Sequence, residues 1–433
     1  MGSFLYFLYN AAVVPLLYVV FGLGVFVHPK VRQGFRGRWN LFRDLETEMS
    51  HSAGKNPRFW IHCSSMGEFE QAKPLIDRLR RLFPDGCIVV SFFSPSVFDH
   101  VQTYSGADCL CYLPFDSLRR AKRFISIVRP DVAIVIRHDL WPNHLWQLKK
   151  RGVPAVLVNC SIRYKTSKHL PIWLWAIRFL YEPFQLLLTV SKGTKDFCLK
   201  YRLGRGRVEV AGDTRYDQVV RRAREAENIV ASLRKIKGNR LCVVAGSTWP
   251  SDEDVLFEAL ERLNGEGLSM WVVLVPHEPS AERTRQLEER ISKMGLRSHR
   301  LSELDGGRLV TDGEFLIVDR MGILASLYAL GELAYVGGGF GLGIHNVLEP
   351  AALGKAVLFG PRSTNSFEAG QFERYGVGFI VRDSQGLYEI LSSLVKDGNR
   401  LAEMGRTAQR LVGENVGATD RIVEYIKDLV RSG

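Results

Sequence analysis

Short apolar runs alternate with amphipathic stretches through most of this chain, and that alternation restricts the folds open to it. Six runs occur in the first half, at 58–64, 87–93, 109–115, 132–136, 155–159 and 186–190. Six more follow at 241–247, 271–277, 315–320, 332–339, 356–361 and 378–383. Between them lie helical patterns such as residues 70–83, in which Ala72, Leu75, Ile76 and Leu79 share one face. Strands that are apolar on both faces and separated by helices predict an α/β protein with parallel, doubly wound sheets.

The alternation pauses at residues 212–240, where the sequence is polar, basic and helical in pattern. A chain of 433 residues also exceeds one ordinary hydrophobic core. We therefore predict two Rossmann-like domains, an amino-terminal one at 28–211 and a carboxy-terminal one at 212–433. Such domains bind ligands at the carboxyl ends of their strands, so we expect the two to face each other across a cleft. The last helical stretch, 416–431, has no strand after it and is a candidate to pack back on the first domain.

Residues 1–27 contain no charged side chain, and the apolar run 4–27 is long enough to cross a bilayer. Five cations follow before any acid, namely Lys30, Arg32, Arg36, Arg38 and Arg43. This bias favours a cytoplasmic location for the rest of the chain, and the order of charges argues against a cleaved signal peptide. Asn10, Pro15 and the glycines leave a second interpretation open, in which the helix lies in the membrane interface. The sequence thus predicts a membrane-anchoring helix that either spans or lies on the membrane.

Net charge limits the classes of molecule that this protein can bind, and cysteine content indicates its cellular compartment. The formal net charge is +12, which favours anionic partners without choosing among nucleic acid, acidic lipid and phosphorylated substrates. Aromatic residues and cations are not interleaved on a recognisable nucleic-acid module, so we expect no nucleic acid. The seven cysteines are scattered through apolar runs without zinc-ligand spacing, which is typical of reduced core residues in the cytosol.

The first candidate site is HCSSMGEFE at 62–70, directly after the first predicted strand. Gly67 is expected to allow a tight turn, with Glu68 then opening a helix. One interpretation makes Glu68 a first-turn acid that only stabilises the helix dipole. The other makes it a general base, which the helix terminus would keep ionised and ready to accept a proton. Position alone leaves both open.

The second candidate is the glycine-rich stretch 335–354, where a strand ends and a helix is expected to begin near His345. Free amides at that helix start could hold a phosphate, and Glu349 about one turn in could accept hydrogen bonds from ribose hydroxyls. The alternative is that these glycines serve close packing alone. Neither GxGxxG in a first strand–helix turn nor GxxxxGK[ST] occurs, which argues against dinucleotide and P-loop sites. The DxD spacing in residues 251–254 follows Pro250 and is better explained as helix capping than as a metal site.

Several motifs in fixed order together make a more specific pattern. The chain resembles the 3-deoxy-D-manno-octulosonic-acid (Kdo) transferase family in its apolar amino terminus and in HCSSMGE, LPFD (113–116), LWPN (140–143), GDTRYD (212–217), GSTWPSDE (246–253), MG (321–322) and IHNVLEP (344–350). This resemblance covers nearly the whole chain. It implies a glycosyltransferase B fold, a location on the cytoplasmic side of the bacterial inner membrane, and a place in lipopolysaccharide inner-core biosynthesis.

The resemblance also implies a reaction and its participants. Kdo would pass from CMP-Kdo to a lipid A precursor (lipid IVA) with inversion, without a bound metal or cofactor, and Glu68 would be the base. The residues implied for CMP binding are Pro276, His277, Met321, Gly322, Ile323, Asn346, Val347, Leu348 and Glu349. On the acceptor side stand Ser65, Gly67 and Asp139.

The chain departs from the family pattern at three places. Arg137, His138 and Asp139 precede LWPN where the family writes ETE, so an arginine replaces an acid associated with transition-state support. Arg215 stands where the family has a lysine, and it can still meet a phosphate or carboxylate. His277 and Glu278 replace the last two residues of PRH, which removes an expected arginine contact to CMP. Arg137 and Arg215 are thus the predicted transition-state supports.

Other functions remain as alternatives. One is a glycosyltransferase of the same fold that uses another nucleotide sugar. A second is a membrane-bound nucleotide-binding scaffold, against which an acid at a strand end argues. A nucleic-acid binder is the weakest.

Overall fold

The computed structural model describes residues 2–98, 101–162, 170–268, 270–305 and 314–432. The chain forms two compact units, the first from Met1–Gln218 with Val416–Gly433 and the second from Val219–Asn415. The predicted domains, 28–211 and 212–433, differ from these units at both ends of the second one: the first unit extends to Gln218, and it also includes Val416–Gly433. The first turn of α10 (Thr214–Lys237) is bound to the first unit, because Asp217 accepts hydrogen bonds from the backbone N–H groups of Gly417 and Thr419.

The first unit is a parallel sheet in the order β3-β2-β1-β4-β5-β6-β7. Its strands are β1 (Arg58–Cys63), β2 (Cys87–Phe92), β3 (Cys109–Tyr112), β4 (Val132–Ile136), β5 (Ala155–Cys160), β6 (Leu186–Thr189) and β7 (Arg207–Val210). Its helices before α10 are α1 (Gly2–Leu8), α2 (Val14–Val27), α3 (Pro29–Arg36), α4 (Leu41–His51), α5 (Met66–Leu82), α6 (Leu118–Val128), α7 (Pro142–Lys150), α8 (Leu170–Tyr181) and α9 (Lys192–Lys200), with a 3₁₀ turn at Pro95–Val97. Every residue of β2, β4 and β5 is buried, as expected for strands covered by helices on both faces.

The second unit is also a parallel sheet, in the order β10-β11-β9-β8-β12-β13-β14. Its strands are β8 (Cys242–Thr248), β9 (Trp271–Pro276), β10 (Ser298–Arg300), β11 (Phe315–Ile317), β12 (Leu333–Val336), β13 (Ala356–Phe359) and β14 (Gly378–Ile380). Its helices after α10 are α11 (Pro250–Gly265), α12 (Ala281–Lys293), α13 (Leu301–Asp305), α14 (Leu324–Leu327), α15 (Leu348–Ala352), α16 (Phe367–Arg374), α17 (Ser384–Val395) and α18 (Gly398–Gly413), with a 3₁₀ turn at Tyr328–Leu330.

The last helix, α19 (Ala418–Ser432), belongs to the first unit rather than to the second. Its Ile422, Val423 and Ile426 are buried in the same core as Ile61 of β1 and Ile134 of β4. The physical reason is its apolar face, which completes the cover over one side of the first sheet.

The predicted fold class, two α/β Rossmann-like domains with an amino-terminal apolar helix, is confirmed. The twelve predicted strands are present, most of them one to four residues shorter than predicted. The short strands β7 and β10 were missed because they are polar and only partly buried. All seven cysteines, each of them within the described residues, are buried and free.

The amino terminus is one continuous helix, since a π-helical turn at Tyr9–Val13 joins α1 to α2. By length and composition, Phe4–Val27 could cross a membrane. Such a helix is consistent with a membrane-associated protein.

Candidate active site

The first-unit candidates follow two neighbouring strands. β1 pairs with β4 in parallel, and strand order reverses between them, since β2 lies beyond β1 and β5 beyond β4. Glu68 comes after β1, whereas Arg137 and Asp139 come after β4. Crevices at such a reversal are where open α/β sheets bind ligands.

Glu68 lies in the first turn of α5, which begins at Met66, two residues earlier than predicted. Ser65 is the N-cap residue in extended conformation. Gly67 lies inside the helix and is not among the residues with positive φ, so the predicted tight turn at Gly67 is wrong. The side chain of Glu68 turns back, and its Oε2 accepts a hydrogen bond from the backbone N–H of Ser64 at 2.6 Å.

Burial raises the pKa of Glu68 above that of an ordinary glutamate. The hydrogen bonds from Ser64 and the proximity of His62 act in the opposite direction, and the negative charge of Asp139 adds to the increase. The sequence interpretation, in which the helix terminus keeps this carboxylate ionised, missed the burial. A carboxylate with a raised pKa is a stronger base, which suits proton abstraction near neutral pH.

Asp139 is held by two aromatic side chains. Its Oδ2 lies 2.9 Å from His62 Nε2 and accepts a hydrogen bond from Trp141 Nε1 at 3.0 Å. Burial alone would raise the pKa of Asp139, but the hydrogen bonds from His62 and Trp141 and the nearby positive charge of Arg38 lower it below its usual value. Asp139 is therefore a fixed anion beside Glu68.

His62 was not among the predicted site residues, although it begins the HCSSMGE motif. It is buried, and its Nδ1 lies 2.9 Å from Ser91 Oγ. Trp60 Nε1 donates to the same Ser91 oxygen at 2.8 Å, and the backbone oxygen of Ser91 lies 3.1 Å from His62 Nδ1. Because the Asp139 carboxylate is an acceptor, His62 Nε2–H donates to it. A buried polar residue at the end of an apolar strand is the signal that could have found it.

Arg137 occupies a left-handed backbone conformation with φ of 64°. Its backbone N–H donates to Val158 O at 2.9 Å, which keeps it in register with β5. A non-glycine residue in this region costs about 1–3 kcal/mol, and such strain is concentrated at functional sites. The next residue, His138, has its Nε2 3.2 Å from Ser161 Oγ.

Arg215 is positioned by hydrogen bonds to Asp213. Its Nε donates to Asp213 Oδ2 at 2.8 Å, and its backbone N–H donates to Asp213 Oδ1 at 2.9 Å. The neighbouring Thr214 hydroxyl donates to Gln71 O of α5 at 2.8 Å, so this segment is tied to the helix that carries Glu68.

In the second unit, three aromatic side chains lie after adjacent strands: His277 after β9, Trp249 after β8 and His345 after β12. The His277 ring stacks on Trp249 with centroids 4.6 Å apart and on His345 with centroids 4.5 Å apart. Trp249 Nε1 donates to His345 Nε2 at 3.3 Å. Burial and the neighbouring His277 lower the pKa of His345, so its ring is neutral at pH 7. Trp249 and His345 were not among the predicted site residues.

The glycine-rich loop after β12 is held by a buried carboxylate. Asp252 Oδ2 accepts hydrogen bonds from the N–H groups of Gly338 and Trp249, both at 2.9 Å, and Tyr335 donates to its Oδ1. The bond to Trp249 is a cap at the start of α11, so the predicted capping role is confirmed. Gly338 has φ of 93°, and a Cβ there would lie 2.4 Å from Gly343 O, so this position requires glycine.

The helix expected near His345 begins at Leu348 and has only five residues. The prediction of a helix start at His345 is therefore wrong, because Asn346 Oδ1 caps the Leu348 N–H at 3.0 Å and residues before it are non-helical. Val347 and Leu348 are buried, and Glu349 Oε1 lies 3.2 Å from an Arg222 guanidinium nitrogen.

The remaining predicted donor residues occupy two strand ends. Pro276 ends β9, and the His277 N–H donates to Thr248 O at 3.0 Å. Met321, which is 63% exposed, and Gly322, with φ of 92°, follow β11. Ile323 is the N-cap of α14. Across the described ranges, no three His, Cys, Asp or Glu side chains group as metal ligands.

Comparison with known proteins gives the same pattern in sequence and in fold. Residues 34–218 match the family of 3-deoxy-D-manno-octulosonic-acid transferases (kdotransferases). The 3-deoxy-D-manno-octulosonic acid transferase of Haemophilus influenzae is 25% identical over 420 residues, covering 95% of each chain. That of Aquifex aeolicus is 28% identical over 340 residues, covering 78% of this chain and 85% of its own. The crystal structure of UDP-GlcNAc 2-epimerase from Neisseria meningitidis has a TM-score of 0.60 at 15% identity, covering 86% of this chain and 99% of its own, which shows the shared fold.

The two parallel-sheet units have the B fold of glycosyltransferases, and the relatives named above place the chain in that class of enzymes. Within that class, residues 34–218 match the Kdo transferase family, and the chain is similar to Kdo transferases along most of its length.

Proposed function

We propose that this protein transfers Kdo from CMP-Kdo to a lipid A precursor, lipid IVA, with inversion at the anomeric carbon. The proposal places the reaction at the cytoplasmic face of the inner membrane, in lipopolysaccharide inner-core synthesis. Similarity to the Kdo transferase family supports the sugar, because the relatives from Haemophilus influenzae and Aquifex aeolicus are 3-deoxy-D-manno-octulosonic acid transferases. The observation that carries the chemistry is Glu68, a carboxylate of raised pKa at the carboxyl end of β1.

In this mechanism Glu68 accepts the proton of the attacking acceptor hydroxyl. The hydroxyl oxygen bonds to the Kdo anomeric carbon from the face opposite CMP, and the bond to the CMP phosphate oxygen breaks. CMP leaves with the bonding electrons, and Glu68 holds the proton. Asp139, fixed by His62 and Trp141, keeps negative charge beside Glu68 and so maintains its basicity.

The donor is assigned to the second unit. Glu349 is proposed to accept hydrogen bonds from the ribose hydroxyls, with Asn346, Val347 and Leu348 shaping the loop. Pro276 and His277 at the end of β9, and Met321, Gly322 and Ile323 before α14, are proposed to complete the CMP site. Arg137 and Arg215 are proposed to stabilise charge in the transition state, and Ser65, Gly67 and Asp139 to line the acceptor side.

Neither a metal nor another cofactor is part of the proposal. The negative charge of the leaving CMP is proposed to be met by side chains of the protein, and Arg222 beside Glu349 is a cation in the same place. Transfer in the presence of a metal chelator tests this point directly, because a metal-dependent enzyme would stop.

The deciding experiment is incubation of the full chain with CMP-Kdo and tetra-acylated lipid IVA, with products read by mass spectrometry. We expect one or more Kdo masses on the acceptor. Parallel reactions with UDP-sugars test the alternative donor. That alternative is favoured by His277, which stands where an arginine contact to CMP is expected. Transfer only from a UDP-sugar would replace Kdo as the substrate, and CMP binding without any turnover would indicate a nucleotide-binding scaffold.

A further inference from the structure

The amino-terminal helix is packed along the first unit for most of its length. Near its start, Tyr6 stacks on Trp146 of α7 with ring centroids 4.8 Å apart. Near its end, Phe21 contacts Phe93 at 5.9 Å and Phe115 at 5.6 Å. These contacts are separated by 15 residues, or about 22 Å of helix.

The covered and exposed residues alternate with helical period. Tyr6, Asn10, Val14, Leu17 and Phe21 are buried or half-buried against the unit. Phe7, Leu16, Val20, Leu23 and Phe26 are each more than half exposed. The helix is therefore apolar all round, but only one face is covered by protein, and the other forms a continuous apolar strip.

Polar contacts fix the first half of the helix to the unit. The Tyr9 hydroxyl donates to Asp116 Oδ2 at 2.7 Å, and the Asn10 and Asn143 side chains exchange two hydrogen bonds at 3.0 and 2.9 Å. Asp116 is itself buried and lies 2.7 Å from His144 Nδ1. Asn10, which weakens a spanning segment, here has a specific partner.

This packing is incompatible with a helix that crosses the bilayer. Spanning would place the middle of Phe4–Val27 near the bilayer midplane, about 15 Å from either surface. Tyr18 lies close to that middle, and the guanidinium of the exposed Arg120 lies 5.7 Å from its ring centroid. Asp116, near Tyr9, would lie about 10 Å from the midplane, still within the hydrocarbon. Charged groups at that depth are strongly unfavourable.

We infer that the helix lies flat in the membrane interface, with its exposed strip in the acyl region of one leaflet and its opposite face on the first unit. The occupant of the strip is thus lipid, and the protein is attached to one leaflet without crossing the membrane. Exposed Arg36, Arg119 and Arg120 are available for anionic headgroups, and Trp39, 87% exposed, is suited to the interface.

The same surface extends to α8. Phe179 of α8 contacts Trp146, the residue on which Tyr6 stacks, with centroids 5.6 Å apart. This helix has the sequence LPIWLWAIRFLY, and its Trp175 is exposed. Its continuity with the amino-terminal helix makes it a second element of the lipid-facing surface.

The test is a depth measurement with spin labels on the full chain in phosphatidylethanolamine–phosphatidylglycerol vesicles. Single labels are placed along the strip in three variants, Phe7→Cys, Leu16→Cys and Leu23→Cys. Each label attaches to the introduced cysteine, because the seven native cysteines are buried. We expect all three labels at a similar depth, about 5–10 Å below the headgroups. A spanning helix would put Leu16 deepest, with the other two about 10 Å shallower. Ser50→Cys on α4, which is exposed, is the matched control and should report water.

Each outcome decides a separate question. A Leu16 label near the midplane overturns the flat orientation. Strong dipolar coupling between Leu16 labels of two molecules would show that a second copy covers the strip and would also overturn it. The inference rests on the membrane attachment proposed above. Failure of the full chain to bind vesicles contradicts that attachment, whereas the transfer assay tests the chemistry independently.

Discussion

At the scale of single residues, the proposed base is defined by opposing effects on one carboxyl group. Burial and Asp139 raise the pKa of Glu68, and hydrogen bonds from Ser64 lower it. The sum favours a carboxylate that binds a proton more tightly than an exposed glutamate. Two predictions distinguish the role of Glu68 as proton acceptor from the effect of the negative charge of Asp139 on its pKa.

Glu68→Gln should abolish most transfer while leaving CMP affinity unchanged. The amide keeps the size and much of the hydrogen bonding but cannot take the proton, and general bases contribute about 10²–10⁴-fold. Single-turnover transfer at saturating CMP-Kdo measures the loss. Glu68→Asp should recover little, because withdrawing the oxygen by about 1 Å is costly.

The control for this substitution is Glu48→Gln on the exposed surface of α4, which should transfer at the wild-type rate. Near-normal turnover of Glu68→Gln would remove Glu68 as the base and make Asp139 the next acid to examine.

The pH profile of transfer should show the environment of Glu68 directly. A base must be deprotonated, so activity is present above its pKa and is lost as pH falls through it. Because that pKa is raised, the loss should begin at a higher pH than for an ordinary glutamate. In Asp139→Asn the neighbouring negative charge is gone, so the acidic limb should move to lower pH, even if the maximum rate also falls. A limb that stays in place in this variant would show that another group titrates.

Sequence reasoning selected Glu68 and Asp139 as candidates but did not identify the residues that position them. Acids after strands are visible in a pattern of apolar runs and turns. The His62–Ser91 contact joins two strands whose pairing is not encoded in either segment alone. The same holds for the stack of Trp249, His277 and His345, which comes from three strand ends brought together by the order of the second sheet.

At the scale of elements, strand positions were predictable because buried parallel strands are continuous apolar runs. Helix starts were less so. α5 begins before Glu68, and α15 begins after His345, since two local hydrogen bonds decide those ends: the Ser64 N–H donates to Glu68, and the Leu348 N–H donates to Asn346 Oδ1. Such side-chain contacts shift a boundary by two or three residues without changing the apolar pattern.

Glu349→Ala in α15 should weaken CMP binding by about 1.5–3 kcal/mol, or roughly 10- to 150-fold, because it removes a charged acceptor for ribose hydroxyls. Calorimetric titration with CMP measures the change. Arg222→Gln is the informative partner variant, since Arg222 pairs with Glu349. Equal losses in the two variants would show that Glu349 acts by holding Arg222. Unchanged affinity in Glu349→Ala would remove this loop from the donor site.

At the scale of the whole molecule, the two units carry different tasks in the proposal, and the amino-terminal helix belongs to only one of them. The helix contacts Phe93, Phe115 and Trp146, all in the first unit. The proposed CMP residues lie between Pro276 and Glu349, all in the second. Loss of the helix should therefore affect membrane binding and nucleotide binding differently.

Removal of residues 1–27 should release the protein from vesicles and leave CMP affinity nearly intact. Residual binding through the basic cluster should weaken as salt is raised, because exposed charges are screened. Co-sedimentation with vesicles and calorimetry with CMP measure the two effects on one preparation. Vesicle binding that persists at high salt would show that another surface, such as α8, is sufficient for attachment.

The position of α19 has a consequence for biosynthesis. Ile422, Val423 and Ile426 complete a core whose other members include Ile61 of β1, made more than 350 residues earlier. At about 5–20 residues per second, that interval is on the order of tens of seconds. The second unit, ending at Asn415, can finish folding before the first, although the first begins to leave the ribosome sooner. The half of the protein that carries the proposed base is thus closed only after all of the second unit has been translated, and a chain that stops before Ala418 leaves that half open.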